Sequence, residues 1–225
     1  MKGIFVTGTD TGIGKTTVCA ALLHRYRASV ALRYWKPVQT GWPEDDDTAT
    51  VRALGACADA EICSDGIRLP RPLSPHLSAR LHGVTIAMSD VLRPAQSTSD
   101  AQSWIVEGAG GLLVPLNDEQ KMSDLIAALQ LPVLVVARSS LGTINHTLLT
   151  LEALRARSLA VVGVVMVGER NGENRRAIER YGYTPVLGEM PQFSRLTTEM
   201  LGAWACSELD AQNSLAAWLA HEVRA

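Results

Sequence analysis

Aromatic side chains are scarce in this chain: they make up 5% of 225 residues, with only 2 phenylalanines, although 47% of positions are apolar. A core filled mainly by Val, Leu, Ile and Ala suits helices layered on a sheet. Neither charge is in excess. The 21 Lys and Arg against 23 Asp and Glu leave a net charge of −2, without the basic field that a nucleic-acid partner requires. Long apolar runs are missing as well. Leu131-Pro-Val-Leu-Val-Val-Ala137 is among the longest, far short of the roughly 20 residues that cross a bilayer. The N-terminus enters an apolar strand with no charged leader, so a cytoplasmic location and no membrane partner are expected. Cys19, Cys57, Cys63 and Cys206 form no C-x-x-C pair, which favours reduced structural thiols over metal or redox roles. His76, His82 and His146 lack metal-ligand spacing and read as surface or capping residues.

What is present is a phosphate-binding loop. Val6-Thr-Gly-Thr-Asp-Thr-Gly-Ile-Gly-Lys-Thr-Thr17 joins a strand over residues 2–7 to a helix over residues 15–27. Gly8, Gly12 and Gly14 let successive N–H groups turn inward around phosphate oxygens at a helix N-terminus. Lys15 then reaches the β and γ phosphates and the Thr16 hydroxyl holds Mg²⁺. The spacing departs from the standard in one place, where Thr9 stands for a glycine that has moved to Gly8.

Periodicity and turn residues place further strands at 29–35, 104–111, 133–137, 161–167 and 185–188, with a loop at 36–41. Helices are expected at 48–54 with Asp47 as N-cap, and at 75–81, 88–95, 123–129, 141–157, 173–181 and 209–223. There is no repeat, low-complexity segment or linker, so residues 1–225 read as a single domain. The alternation implies a mostly parallel sheet with helices on both faces, and ligands beyond the carboxyl ends of its strands. Three segments meet at that edge: Lys15 and Thr16, Lys36 to Thr40, and Glu107 with the Gly108-Ala-Gly-Gly111 cluster. Lys36 ends an apolar strand and can neutralise transferred phosphoryl charge. Glu107 ends the buried run Trp104 to Val106 and can position metal or water. One of Asp45, Asp46 and Asp47 can supply a further oxygen ligand.

These residues, with Lys36-Pro-Val-Gln-Thr-Gly41, Ser74-Pro-His76, Val106-Glu-Gly-Ala-Gly-Gly-Leu112, Leu141-Gly-Thr-Ile-Asn-His146 and Leu187-Gly-Glu189, resemble the dethiobiotin synthetase family in order and spacing through nearly the whole chain. The resemblance implies a three-layer P-loop NTPase-type fold and a homodimeric cyclo-ligase of biotin synthesis. Such an enzyme uses Mg²⁺ and ATP to close the ureido ring of 7,8-diaminononanoate with CO2 or bicarbonate. It implies Thr16, Asp47 and Glu107 as metal ligands, with Asp47 preferred among the aspartates, and Lys15 and Lys36 as the catalytic cations. The nucleotide would lie on Gly12, Ile13, Gly14, Lys15, Thr16 and Thr17, and on Gly108, Ala109 and Gly110. Val167, Gly168, Pro191, Gln192 and Phe193 would flank its base. Thr11, Lys36, Thr40, Gly110 and Gly111 would contact the diamine. Leu141, Gly142, Thr143 and Asn145 of the neighbouring subunit would take its carboxylate tail.

Two positions depart from that family. Gly12 stands where some members carry Glu, and Val167-Gly168 replaces the asparagine that reads adenine, which predicts relaxed base selection. Among rival P-loop proteins, partitioning ATPases place a lysine where Asp10 stands, and cobyrinate-type amidotransferases need a further glutaminase domain. A nucleotide switch would not need Lys36 to Thr40.

Overall fold

The computed structural model describes residues 1–96 and 102–220. The strand β1 (Gly3–Gly8) sends Ile4 and Val6 to one side and Phe5 to the other, as a period of two requires. Both faces of the sheet therefore need a cover. After α1 (Lys15–Tyr26) come β2 (Leu32–Trp35), β3 (Val38–Thr40), α2 (Asp47–Leu54), β4 (Ile62–Cys63), β5 (Ile67–Leu69), α3 (Pro75–Leu81) and α4 (Met88–Gln96). The second half comprises β6 (Ser103–Gly111), α5 (Met122–Leu129), β7 (Val133–Arg138), α6 (Thr143–Arg155), β8 (Val161–Val167), α7 (Gly172–Gly182), β9 (Val186–Met190), α8 (Thr198–Glu208) and α9 (Leu215–Ala220).

Seven strands form one sheet in the order β4-β2-β6-β1-β7-β8-β9, every pair parallel. On one face α1 buries Val18, Leu22 and Leu23 against Ile4, Val6 and Leu134, with Leu201 and Leu215 of α8 and α9 beside them. On the other face Phe5, Val106 and Val135 meet Leu125 of α5, Leu154 of α6 and Ile178 of α7. Each such side chain contributes roughly 1.5–3 kcal/mol by leaving water. The layers hold the carboxyl ends of β1, β2 and β6 side by side, which is where the loop before α1 opens.

Several expectations are revised. The stretch 36–41 is not all loop: Pro37 interrupts the strand, and β3 then pairs in parallel with β5 as a separate two-stranded sheet. Strand β2 starts only at Leu32, because Ser29 and Val30 donate their N–H groups to Tyr26 O and close the end of α1. Asp46, not Asp47, caps α2, its carboxylate accepting from Ala49 N. Helix α8 went unforeseen in the sequence. Its interior Gly202 looks like a breaker, but a side chain there would meet the His24 ring at 3.2 Å, so the glycine permits close packing on α1. The C-terminal helix begins at Leu215 rather than Leu209, since the Asp210 carboxylate accepts from Ser214 N and Leu215 N and fixes the start. The last three residues expected in it, 221–223, lie outside the described residues. Among the described residues no helix is long and apolar enough to cross a membrane.

Candidate active site

The loop after β1 becomes a helix at Gly14, whose φ of 97° is left-handed and open to glycine at little cost. A Cβ there would also lie 3.2 Å from a methyl of Val167. Lys15 and Thr16 follow at the N-terminus of α1, where free N–H groups and the helix dipole favour an anion. The Lys15 ammonium is folded back 2.9 Å onto the carbonyl of Asp10. Burial, and then the nearby Lys36 charge, hold its pKa below the ordinary lysine value.

Lys36, at the end of β2, is buried between two carboxylates: its Nζ lies 2.8 Å from Glu107 Oε1 and 2.6 Å from Asp47 Oδ2. It also donates to Gly108 O at 3.0 Å. Burial alone would lower its pKa, but the two carboxylates outweigh that and raise it. Asp47 shows the converse, with burial opposed and overcome by Lys36, so its carboxyl lies below the usual range. Thr16 Oγ1 is within hydrogen-bonding distance of both acids, 2.8 Å from Asp47 Oδ1 and 3.0 Å from Glu107 Oε1. Five side chains from four segments thus converge. Because Asp46 is spent on the cap of α2, Asp47 is the aspartate left to face Lys36.

Among the described residues no group of three or more His, Cys, Asp or Glu could hold a metal ion unaided. A hydroxyl and two carboxylates do meet at Thr16, and three hard oxygens fit Mg²⁺, which keeps waters and takes its remaining ligands from phosphate.

The loop stands between two clefts. The first, about 570 Å³, is lined by Thr11, Lys15, Thr16, Lys36, Thr40, Asp47, Glu107, Ala109 and Gly110, and by Ser74 and Pro75 at the start of α3. The second, about 790 Å³, is lined by Thr17, Val167, Gly168, Pro191, Gln192 and Phe193, together with Arg138 and Arg170. Gly12, Ile13 and Gly14 line both. Those two arginines are already engaged, Arg138 with Asp10 and Arg170 with Glu208.

Several of the expected residues do not line either cleft of this chain. Gly111 is not on the cleft wall, because a side chain there would meet Gly8 O at 3.3 Å, so it serves the packing of β6 against the loop. Gly108 contributes its carbonyl to Lys36 and sits behind the same wall. Thr143 is buried, its hydroxyl 3.4 Å from that of Thr147 and its N–H donated to Ser140 O. Leu141 is fully exposed, and it, Gly142 and Asn145 line neither cleft of their own chain.

Two site residues were missed. Tyr34, fully buried, donates to Glu107 Oε2 at 2.8 Å. Gln39, also buried, donates to Thr40 O at 2.8 Å and Asp45 O at 2.6 Å and accepts from Asp47 N at 3.3 Å, clamping the acidic turn. Strand alternation was the available signal for the first, since residues 34 and 36 share a face.

Comparison with known proteins follows the same outline. A family model described as AAA domain matches residues 2–200. The ATP-dependent dethiobiotin synthetase BioD of Agrobacterium fabrum is 47% identical over 196 residues, covering 87% of this chain and 89% of that protein. The protein of the same name from Paramagnetospirillum magneticum is 47% identical over 197 residues, covering 88% and 91%. Among solved structures, a ParA family ATPase from Chlorobium tepidum superposes with a TM-score of 0.55 at 12% identity, covering 91% of this chain and 97% of that one. At that identity the likeness concerns the P-loop fold alone.

Proposed function

The chain belongs to the ATP-dependent dethiobiotin synthetases, and from this premise we propose how its own residues close the ring. The enzyme is a cyclo-ligase of biotin biosynthesis that spends ATP to join 7,8-diaminononanoate and CO2. One amine takes up CO2 as a carbamate, a carbamate oxygen attacks the γ-phosphoryl group and displaces ADP, and the second amine attacks the carbonyl carbon. Phosphate leaves with the carbamate oxygen. Little of this needs covalent help from the protein, so positioning and charge neutralisation carry it.

The observation that carries this reading is the meeting of Lys15, Thr16, Lys36, Asp47 and Glu107 in one cleft. Lys36, its charge set between two acids, holds the carbamate and the transferring phosphoryl oxygens. Lys15 leaves the Asp10 carbonyl for the β and γ phosphates, an exchange that strands no carboxylate. Thr16, Asp47 and Glu107 would hold Mg²⁺, which would supply neutralisation of the phosphate oxygens. Thr11, Thr40 and Gly110 face the same cleft and position the diamine.

The carboxylate tail is taken by Leu141, Gly142 and Asn145 of a second subunit. Their exposure on this chain supports that placement, as does the suitability of a helix N-terminus for an anion. The protein is accordingly a homodimer, acting in the cytoplasm. The nucleoside occupies the second cleft, with its base beside Val167, Gly168 and Pro191 to Phe193. Lacking an amide at position 167, the enzyme accepts other nucleoside triphosphates besides ATP.

Phosphate release measured with and without diamine and bicarbonate tests the assignment. Release should require both, and release from ATP alone at the same rate would reject the ligase reading in favour of a nucleotide switch.

A further inference from the structure

Tyr34 lies on β2, between β4 and β6, with 0% exposure, where an unpartnered hydroxyl would be costly. A phenylalanine would fill the same volume, so packing explains the ring and leaves the oxygen unexplained. That oxygen donates to Glu107 Oε2 at 2.8 Å. The other carboxylate oxygen, Oε1, faces Lys36 Nζ at 2.8 Å and Thr16 Oγ1 at 3.0 Å. Strand register accounts for the reach. Tyr34 pairs with Ile105 on the adjacent strand β6, which puts the phenol two residues below Glu107 on the neighbouring strand.

We propose that Tyr34 is a positioning residue of the ring-closing reaction, dividing the Glu107 carboxylate so that Oε2 is held in the core and Oε1 alone faces the cleft. The terminal torsion of a glutamate is broad. Without the phenol, the carboxylate can turn both oxygens toward Lys36 and Thr16 and pair more closely with the ammonium that the substrate needs. With it, one orientation is set before any ligand arrives. This rests on the assignment of Glu107 to the phosphate and metal site.

A double-mutant cycle of wild type, Tyr34→Phe, Glu107→Gln and the combined variant tests it. Four quantities are read in each: kcat, KM for the diamine, the Mg²⁺ concentration giving half-maximal rate, and the calorimetric affinity for ADP with Mg²⁺. Tyr34→Phe should lower kcat by about tenfold, the effect of one hydrogen bond to a charged group. It should also raise the Mg²⁺ requirement and weaken the ADP complex, with KM for the diamine within about twofold of wild type. In the Glu107→Gln background the same change should do nothing further. Unchanged kcat and Mg²⁺ dependence, or an equal fold-loss in both backgrounds, would overturn the proposal. Glu107→Gln behaving as wild type would instead remove Glu107 from the site, a separate failure. Should Tyr34→Phe melt near the assay temperature, ADP affinity measured below its melting point carries the same comparison.

Discussion

The two clefts that share the phosphate loop commit their polar groups differently. In the first, Lys36, Asp47, Glu107 and Thr16 bond to one another and are held from behind by Tyr34 and Gln39. In the second, the surface beside Gly14 is the methyl groups of Val167, and the two arginines are tied to Asp10 and Glu208. Developing charge is worth stabilising only if the groups that meet it are fixed beforehand. A base can be accepted with less, because discrimination comes from groups that a wrong base would leave unpaired. On the proposed reading, the chemistry is specified tightly and the nucleoside loosely.

The largest effect should come from breaking the first cleft at its centre. Lys36→Met is expected to cut turnover by about a hundredfold to a thousandfold. Because it leaves Glu107 buried without its ammonium, it should also cost about 3 kcal/mol of stability, read as a lower melting temperature beside the rate. Turnover near wild type would remove Lys36 from the mechanism.

Lys15 comes next and is distinguished by pH. Lys36, with its pKa raised, stays protonated throughout the assay range, whereas Lys15, with its pKa lowered, loses its charge first as pH rises. A profile of kcat/KM for the nucleotide should therefore fall on its alkaline side below the ordinary lysine value of 10.5, and Lys15→Arg should push that limb higher. A limb that stays put in Lys15→Arg would belong to another group.

How far this contrast could be read in advance depended on whether a residue advertises its chemistry locally. The loop, Lys36 and Glu107 did so, being polar groups at the ends of apolar strands, and they do converge. Asp47 could not be told from Asp45 and Asp46 by spacing, because the choice turns on which one caps α2, a matter of side-chain rotamer. Gln39 and β3 were hidden by Pro37, which reads as a break although the chain resumes a strand beside β5. Thr143 looked available at a helix start and is instead turned inward to Thr147. Gly202 concealed α8 because glycine signals flexibility and close packing alike.

On the loose side, Val167→Asn offers a smaller and more selective change. Restoring an amide at this position should increase the kcat/KM ratio of ATP over GTP and CTP by about tenfold, the scale of one hydrogen bond. A wild-type ratio of a thousandfold or more for ATP would instead show that other groups already read the base.

A further effect concerns stability and acid. The folded pKa of Asp47 is depressed by Lys36. Its contribution is thus present in full above the unfolded value of about 3.9 and lost as pH falls through the folded value. Asp47→Asn should melt lower than wild type near neutrality, by the equivalent of about 1–2 kcal/mol, and the gap should close below the unfolded value. A gap independent of pH would mean that Asp47 acts through shape and not charge.

The central claim, that the tightly specified cleft directs a carbamate oxygen onto the terminal phosphoryl group, is tested most directly by following that oxygen. Carbon dioxide carrying heavy oxygen is mixed rapidly with enzyme, diamine and ATP, and the released phosphate is weighed by mass spectrometry. One labelled oxygen per phosphate formed is the expected result, because the carbamate oxygen departs with phosphorus when the second amine closes the ring. Unlabelled phosphate released in step with dethiobiotin would mean that the phosphoryl group never passed to the carbamate, and would contradict the account.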